Sequence, residues 1–378
     1  MVQAGPIRVA IDAHVVGTRK TGNETYVVNL VDALVRRDDV DPIVYVNEGA
    51  PWSGDPATVP HVRSLRLSAP QLRIPIELPY RIRRDRARLL HVQYVTPPVL
   101  SVPVVAAIHD VSFEDVDGLF SASTRLRLRA TVRLTARRAA RILVLSEFTK
   151  SRIVHHYGIA PERIVVAPGG VGQRWRPLDP AVVHDRLIGL SLPERFVLVV
   201  GNLHPRKNVP RLIRAVDRVR RSGARDVGLV IAGQPGWHSG EVDQEIERMR
   251  GSDWIRRIGY VGDDTLVALY NAATVVAYPS LYEGFGLPVI EGLACGAVVV
   301  TSSTTSIPEV AGDAAILVDP HDDASVAAGI ERGIADDSLR EVLRAAGPER
   351  ARIFTWDACG EATVRAYQEA LAEGRPRH

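Results

Sequence analysis

Eleven apolar runs of four or five residues recur along this 378-residue chain, and helix-length spacers or loops separate them. They fall at residues 7–11, 43–46, 89–92, 104–108 and 142–145, then at 196–200, 228–232, 258–261, 275–278, 298–301 and 315–318. Short runs without polar alternation suit strands buried on both faces of a parallel sheet. Between the first two lies a helix-like span, residues 25–36, with Leu30, Val31 and Leu34 on one face. Strands spaced by helical segments predict an α/β chain with two open parallel sheets rather than one barrel. The Pro-rich span 68–79 reads as a loop. Residues 168–193, with Pro168, Gly169, Gly170, Pro177, Pro180 and Pro193, read as the connection between the two halves.

Charge divides the chain in the same way. Residues 1–178 carry 25 Lys/Arg against 16 Asp/Glu, and residues 179–378 carry 22 against 28. Much of the basic excess is Arg125, Arg127, Arg129, Arg133, Arg137, Arg138 and Arg141, with no acid among residues 125–141. Arg125, Arg129, Arg133, Arg137 and Arg141 recur every fourth residue, a drifting stripe on a helix, with Leu126, Leu128, Val132 and Leu134 beside it. Such a face can lie against an anionic membrane, or be a solvated face whose arginines pair with acids elsewhere in the fold. No recognition motif accompanies the charge, so nucleic acid is not expected as a partner. A hydrophobic content of 46% and a charged content of 24% are those of a globular protein. The two cysteines, Cys295 and Cys359, form no disulfide framework or metal spacing. The first residues lack a long apolar stretch, and no run approaches a membrane span, so a cytoplasmic location is expected, with peripheral attachment at the inner face of a membrane as the variant.

The chemistry concentrates in Ser280-Leu281-Tyr282-Glu283-Gly284-Phe285-Gly286-Leu287-Pro288-Val289-Ile290-Glu291. An apolar strand pattern precedes it and a helix-like run, residues 289–295, follows. Glu283 is therefore expected on a loop at a strand's carboxyl end and Glu291 in the first turn of the next helix. Doubly wound proteins bind ligands at such places. Gly284 and Gly286 allow the backbone to approach a ligand and present N–H groups to it. Gly201-Asn202-Leu203-His204-Pro205-Arg206-Lys207-Asn208 follows another strand and precedes a helix starting near Pro210. Arg206 and Lys207 suit a diphosphate whose charge grows as a bond to it breaks.

The E-x7-E spacing and its embedded G-F-G-L-P resemble the signature of retaining nucleotide-sugar transferases of glycosyltransferase family 4. The resemblance spans nearly the whole chain, densest over residues 196–320. It implies the GT-B fold: two Rossmann-like domains with parallel sheets facing across a cleft. The first, residues 1–178, binds the acceptor; the second, 179–357, binds the nucleotide sugar; a terminal helix within 358–378 crosses back to the first. It further implies that Glu291 binds the ribose hydroxyls. Glu283, with the N–H groups around Gly284, Phe285, Gly286 and Leu287, holds the transferring sugar, while Arg206 and Lys207 carry the departing diphosphate. His109, after the strand at 104–108, reaches the donor sugar near its reacting carbon. Gly233 and Val261 border the nucleotide base. Gly17 and Gly22, in the loop Gly17-Thr18-Arg19-Lys20-Thr21-Gly22-Asn23, lie over phosphates and acceptor, and Ser146 faces the cleft.

The expected activity is transfer of a hexose to a hydroxyl of a glycan, glycolipid or natural product. GDP-mannose is favoured as donor and UDP-glucose comes next. The resemblance implies front-face attack, which requires no enzymic nucleophile; no cofactor or metal is expected, since Arg206 and Lys207 bring the positive charge and Asp115-Val116-Asp117 matches a metal-binding D-x-D only in its letters. A lipid-linked acceptor would give the arginine stripe a purpose. Two alternatives stay open: a glycoside hydrolase or phosphorylase using Glu283 and Glu291 as its pair, and a nucleotide-sugar binder without transferase activity.

Overall fold

A computed structural model describes the chain except residues 1–4, 19–20, 53–58, 60, 68, 235–238, 250–251 and 374–378. Arg19 and Lys20 of the first glycine-containing loop therefore lie outside the described residues. The chain forms two compact units: Met1–Gly170 with Thr355–His378, and Val171–Phe354.

The first unit contains β1 (Ile7–Asp12), β2 (Val40–Asn47), β3 (Val62–Leu65), β4 (Leu89–Gln93), β5 (Val104–Ala107), β6 (Arg141–Val144) and β7 (Ile164–Val166). They pair in the order β3-β2-β1-β4-β5-β6-β7, every pairing parallel. The second unit contains β8 (Arg195–Val200), β9 (Val227–Ala232), β10 (Ile255–Gly259), β11 (Val275–Tyr278), β12 (Val299–Ser302) and β13 (Ile316–Val318). Their order is β10-β9-β8-β11-β12-β13, again all parallel. In each sheet the direction of strand addition reverses once, between β1 and β4 and between β8 and β11. A crevice opens beyond the carboxyl ends of the strands at such a reversal.

The helices that matter below are α1 (Thr21–Leu34), α2 (Leu78–Arg84), α3 (Ala122–Arg138), α4 (Glu147–Tyr157), α5 (Val209–Ser222), α6 (Asp263–Ala272), α7 (Leu287–Ala294) and α8 (Trp356–Ala372). Leu78 and Ile82 of α2, Val132 and Ala136 of α3 and Ile153 of α4 share one core with Ala10, Leu90, Ala106 and Ile142. These three helices thus cover the same face of the first sheet. The terminal helix α8 belongs to this unit: Gly360 lies against Ala33 of α1, where an added Cβ would meet the alanine Cβ at 3.3 Å. Arg141 of β6 also donates its Nε–H to Glu369 of α8 at 2.9 Å and pairs with Glu373 beyond it.

Several local expectations are corrected. The Pro-rich span is helical: a turn at Pro70–Leu72 runs through a π-helical turn, Arg73–Glu77, into α2. Pro70 and Pro79 sit at the first positions of their elements, where proline is tolerated, and Pro75 falls within the π-helical turn itself. The arginine stripe breaks at its end, because Arg141 is a buried β6 residue rather than a helical one. Within α3, Arg125 pairs with Asp117 and Arg129 with Glu114, at 2.7 Å for the latter, so both are occupied by acids of the fold. The strand expected at 258–261 runs earlier, over Ile255–Gly259. Strand β3, Val-Arg-Ser-Leu, carries too few apolar residues to show in the sequence, whereas β7 lies in a four-residue apolar run, residues 164–167, that the sequence reading passed over beside Pro168-Gly169-Gly170. Cys295 and Cys359 are both buried free thiols.

Candidate active site

Glu283 follows β11 and is 5% exposed. Its Oε1 accepts from Lys207 Nζ at 2.7 Å and its Oε2 from Arg206 Nη1 at 3.2 Å. Burial opposes ionisation of Glu283, but Arg206 and then Lys207 outweigh it and hold the carboxyl down at about 2. Lys207 Nζ also meets the Tyr278 hydroxyl and lies 4.4 Å from the centre of that ring.

The loop that carries both cations is pinned to the loop that carries the acid. Asn208 takes up left-handed backbone (φ 60°), which asparagine tolerates better than most residues, and closes the turn Pro205–Lys207. Its amide donates to the carbonyls of Pro279 and Pro320 at 3.0 and 2.7 Å. The N–H of Leu281 donates to Arg206 O at 2.7 Å. On the other side, Glu283 N–H donates to Thr305 Oγ1 at 3.3 Å, and Ser306 Oγ donates to the carbonyls of Glu283 and Phe285. Thr305 is itself a β-branched residue at φ 62°, a conformation that persists only where its surroundings enforce it.

Gly286 (φ 111°) starts α7, and a Cβ there would lie 2.7 Å from Ile307 Cδ1. Phe285 is buried edge-on against Phe354, 5.5 Å between ring centres, and Leu287 opens the helix. Glu291 is the fifth residue of α7, so it stands in the second turn, not the first. Tyr270 of α6 donates its hydroxyl to Glu291 Oε2 at 3.1 Å. Burial raises the Glu291 carboxyl to about 7, and the Tyr270 bond offsets only part of this. Gly233 (φ 153°) ends β9; a Cβ there would lie 2.0 Å from Gly201 O, so the exits of β8 and β9 approach backbone to backbone. Val261 lies half-buried in the loop before α6.

In the first unit, His109 is 8% exposed, and its Nε2 lies 3.0 Å from Gln93 Oε1. Burial lowers its pKa to about 4, so it is neutral near pH 7. Gly17 (φ 76°) donates its N–H to Glu24 Oε1 at 2.8 Å. Gly22 lies inside α1 rather than in the preceding loop, and nothing stands within 4 Å of where its Cβ would be. Ser146 is fully buried and caps α4, its Oγ accepting from Thr149 N–H at 3.1 Å. Asp115 and Asp117 do not converge on one point: the first pairs with Arg152 and His156, the second with Arg125.

Residues 21–172 match the family model described as Glycosyltransferase Family 4, and residues 186–350 match the model described as Glycosyl transferases group 1. The chain belongs to glycosyltransferase family 4. This family 4 chain is 37% identical over 228 residues to O-antigen chain mannosyltransferase B of Escherichia coli, an alignment covering 60% of each protein. The chain thus spans about three fifths of the length of that relative. Its fold is GT-B. Sucrose-phosphate synthase from Thermosynechococcus elongatus superposes with a TM-score of 0.78 at 19% identity, covering 97% of this chain and 99% of that one. Anabaena Alr3699/HepE in complex with UDP and glucose does so with a TM-score of 0.75 at 17% identity, over 96% and 99%.

The family 4 motif residues Glu283, Arg206 and Lys207, 76 or 77 positions apart in sequence, meet as one ion-paired cluster. Glu291 belongs to a second pair, with Tyr270. Sequence reasoning overlooked Tyr270, Tyr278, Thr305 and Ser306, each a common residue type with no spacing signal. Asn208 had a signal: an Asn directly after Arg-Lys and directly before a helix can supply left-handed backbone.

Proposed function

We propose that the protein is a retaining hexosyltransferase that moves mannose from GDP-mannose to a hydroxyl of a glycan or lipid-linked acceptor, with UDP-glucose as the next candidate donor. The observation that carries this reading is Glu283 held ionised between Arg206 and Lys207 at the switch point of the second sheet. When the bond between the sugar's anomeric carbon and the diphosphate breaks, its electron pair stays on the phosphate oxygen. Arg206 and Lys207 are the cations available to stabilise that charge. Glu283 and the backbone N–H groups near Gly284 and Gly286 hold sugar hydroxyls, and Glu291 accepts from the ribose. The acceptor oxygen bonds to the anomeric carbon on the face the diphosphate leaves, and its proton passes to the departing phosphate oxygen. His109, neutral and anchored on Gln93, is proposed to contribute a hydrogen bond to the donor sugar. The mannose preference rests on similarity to the E. coli mannosyltransferase. Two residues supply the positive charge that a divalent cation would otherwise bring, so no metal or cofactor is invoked.

A glycoside hydrolase also separates the protonation of two carboxyls, as Glu283 and Glu291 do. Here both Glu283 oxygens are tied to cations, which weakens the carboxylate as a nucleophile. Thermal shift with a panel of nucleotide sugars in EDTA, with Glu291→Ala as control, tests the proposal. A donor at about 100 times its Kd stabilises by about 2.7 kcal/mol. A shift with one donor that the variant loses names the nucleotide, and NMR of the product's anomeric signal tests retention. Sugar release without any nucleotide donor would favour the hydrolase instead.

Peripheral attachment is proposed for an arginine set that keeps Arg133 and Arg137 of the stripe and replaces the acid-paired Arg125 and Arg129 and the buried Arg141 with others. Among the described residues of the first unit, six large hydrophobics are exposed: Leu72, Ile76, Tyr80, Val99, Leu126 and Leu134. They lie on or beside α2 and α3, which cover one face of the sheet. Arg83, Arg84, Arg127, Arg133, Arg137 and Arg138 are exposed on the same two helices, and neither helix contains an acid. Apolar side chains interleaved with unopposed cations complement an anionic lipid surface.

A further inference from the structure

At the switch point of the first sheet, three strands end in polar side chains: Asn47 on β2, Asp12 on β1 and Gln93 on β4. Asp12 is 3% exposed, and its Oδ1 lies 3.1 Å from His14 Nδ1 and accepts the His14 N–H at 3.2 Å. Asn47 Nδ2 donates to His14 O at 2.8 Å. Behind the pair, the π-helical turn inserts Arg73, 2% exposed, with Nη2 at 3.8 Å from Asp12 Oδ2. Glu77 anchors that turn by accepting N–H bonds from Arg66 and Leu67. Burial opposes ionisation of Asp12, and the hydrogen bonds from His14 together with the charge of Arg73 outweigh it. An imidazole that gives its Nδ1–H to a carboxylate presents an acceptor lone pair at Nε2, and the His14 side chain keeps 24% of its surface exposed. Three buried polar atoms in this group have no partner among the described residues: Asn47 Oδ1, Arg73 Nε and Gln93 Nε2. Buried donors and acceptors of that kind are uncommon and call for a cause.

We propose that Asp12, His14, Asn47, Arg73 and Gln93 form the subsite for the acceptor, and that it takes an uncharged sugar ring, with His14 Nε2 accepting from a ring hydroxyl beside the one that reacts. The inference rests on the transferase reading above. Asp12 and Arg73 cancel in charge, so the group offers no net attraction to a phosphate or carboxylate. It offers mixed donors and acceptors at a crevice, which is what a polyol requires. His14 is a positioning residue: the reacting hydroxyl's proton still leaves with the phosphate.

The test is 15N NMR of histidine side chains in the full chain, titrated separately with methyl α-mannoside and with inorganic phosphate. The His14 Nε2 resonance should move with the glycoside and stay put with phosphate. In transfer assays His14→Ala and Asp12→Asn should raise acceptor KM about three- to tenfold, as loss of one hydrogen bond does, and leave donor KM and the nucleotide-sugar thermal shift unchanged. No resonance change with the glycoside, a change with phosphate alone, or wild-type acceptor KM in His14→Ala would overturn the subsite. Failure of the transferase reading shows separately, as a wild-type protein with no thermal shift from any nucleotide sugar.

Discussion

Glu283 is the residue whose removal should be felt first. Without its carboxylate, Arg206 and Lys207 lose the partner that orients them, and the donor sugar loses its hydroxyl acceptor. Glu283→Gln keeps the shape and removes the charge; transfer should fall by about 10²–10³, the scale seen when one preorganised electrostatic contact is lost. Near-wild-type kcat with the favoured donor would remove Glu283 from the chemistry. Glu291 carries a pH prediction. Its folded pKa of about 7 lies above the unfolded value of about 4.3. The native state therefore binds the extra proton in that window, and stability falls as pH rises through it. Glu291→Gln cannot ionise, so wild-type Tm should drop by a few degrees relative to the variant between about pH 5 and pH 8. Parallel Tm curves across that range would contradict the raised pKa. If Glu291 also binds ribose, donor affinity should rise as pH passes about 7, in the wild type only.

Elements are held by close backbone approaches that no substitution can share. Gly233→Ala would place a methyl carbon 2.0 Å from a carbonyl oxygen of the neighbouring strand's exit, at a φ that side chains avoid. Urea unfolding should show a loss of about 2–4 kcal/mol, whereas Gly22→Ala, in an open helical position, should be neutral or slightly stabilising. Arg141 anchors α8 through Glu369 and Glu373, whose side chains remain 39% and 57% exposed. Since both acids can return to water, Arg141→Met should cost only about 1–2 kcal/mol, below the cost of breaking a fully buried pair. Legibility followed the strength of local signals. Runs such as Phe196–Val200 or Val275–Tyr278 are continuous and apolar, and they became strands. The four-residue β3, Val-Arg-Ser-Leu, holds an Arg and a Ser and is a strand because Val44–Asn47 of β2 offer it hydrogen bonds. The π-turn escaped for a related reason: three prolines within ten residues mark a breaker unless each falls where a helix tolerates it.

For the molecule as a whole, charge balance between the halves describes a surface rather than a fold. Liposome co-sedimentation should show binding to vesicles containing anionic lipid at low salt, weakening as salt rises, and none to neutral vesicles. Arg133→Glu with Arg137→Glu should abolish it while Tm and donor binding persist; binding unaffected by those changes would point away from the α2–α3 face. The sequence by itself determined the α/β class, the existence of two parallel sheets, the family and the motif residues Glu283, Arg206, Lys207 and Glu291, because periodicity and fixed spacing are local properties that a chain displays before it folds. Tertiary structure alone decided which groups meet. Asn208 bridging two carbonyls more than 70 and 110 residues away, Tyr270 reaching Glu291, and Arg73 buried beside Asp12 are pairings between distant segments. Strand order brings such segments together, and strand order is set by the packing of whole sheets, which no local pattern encodes.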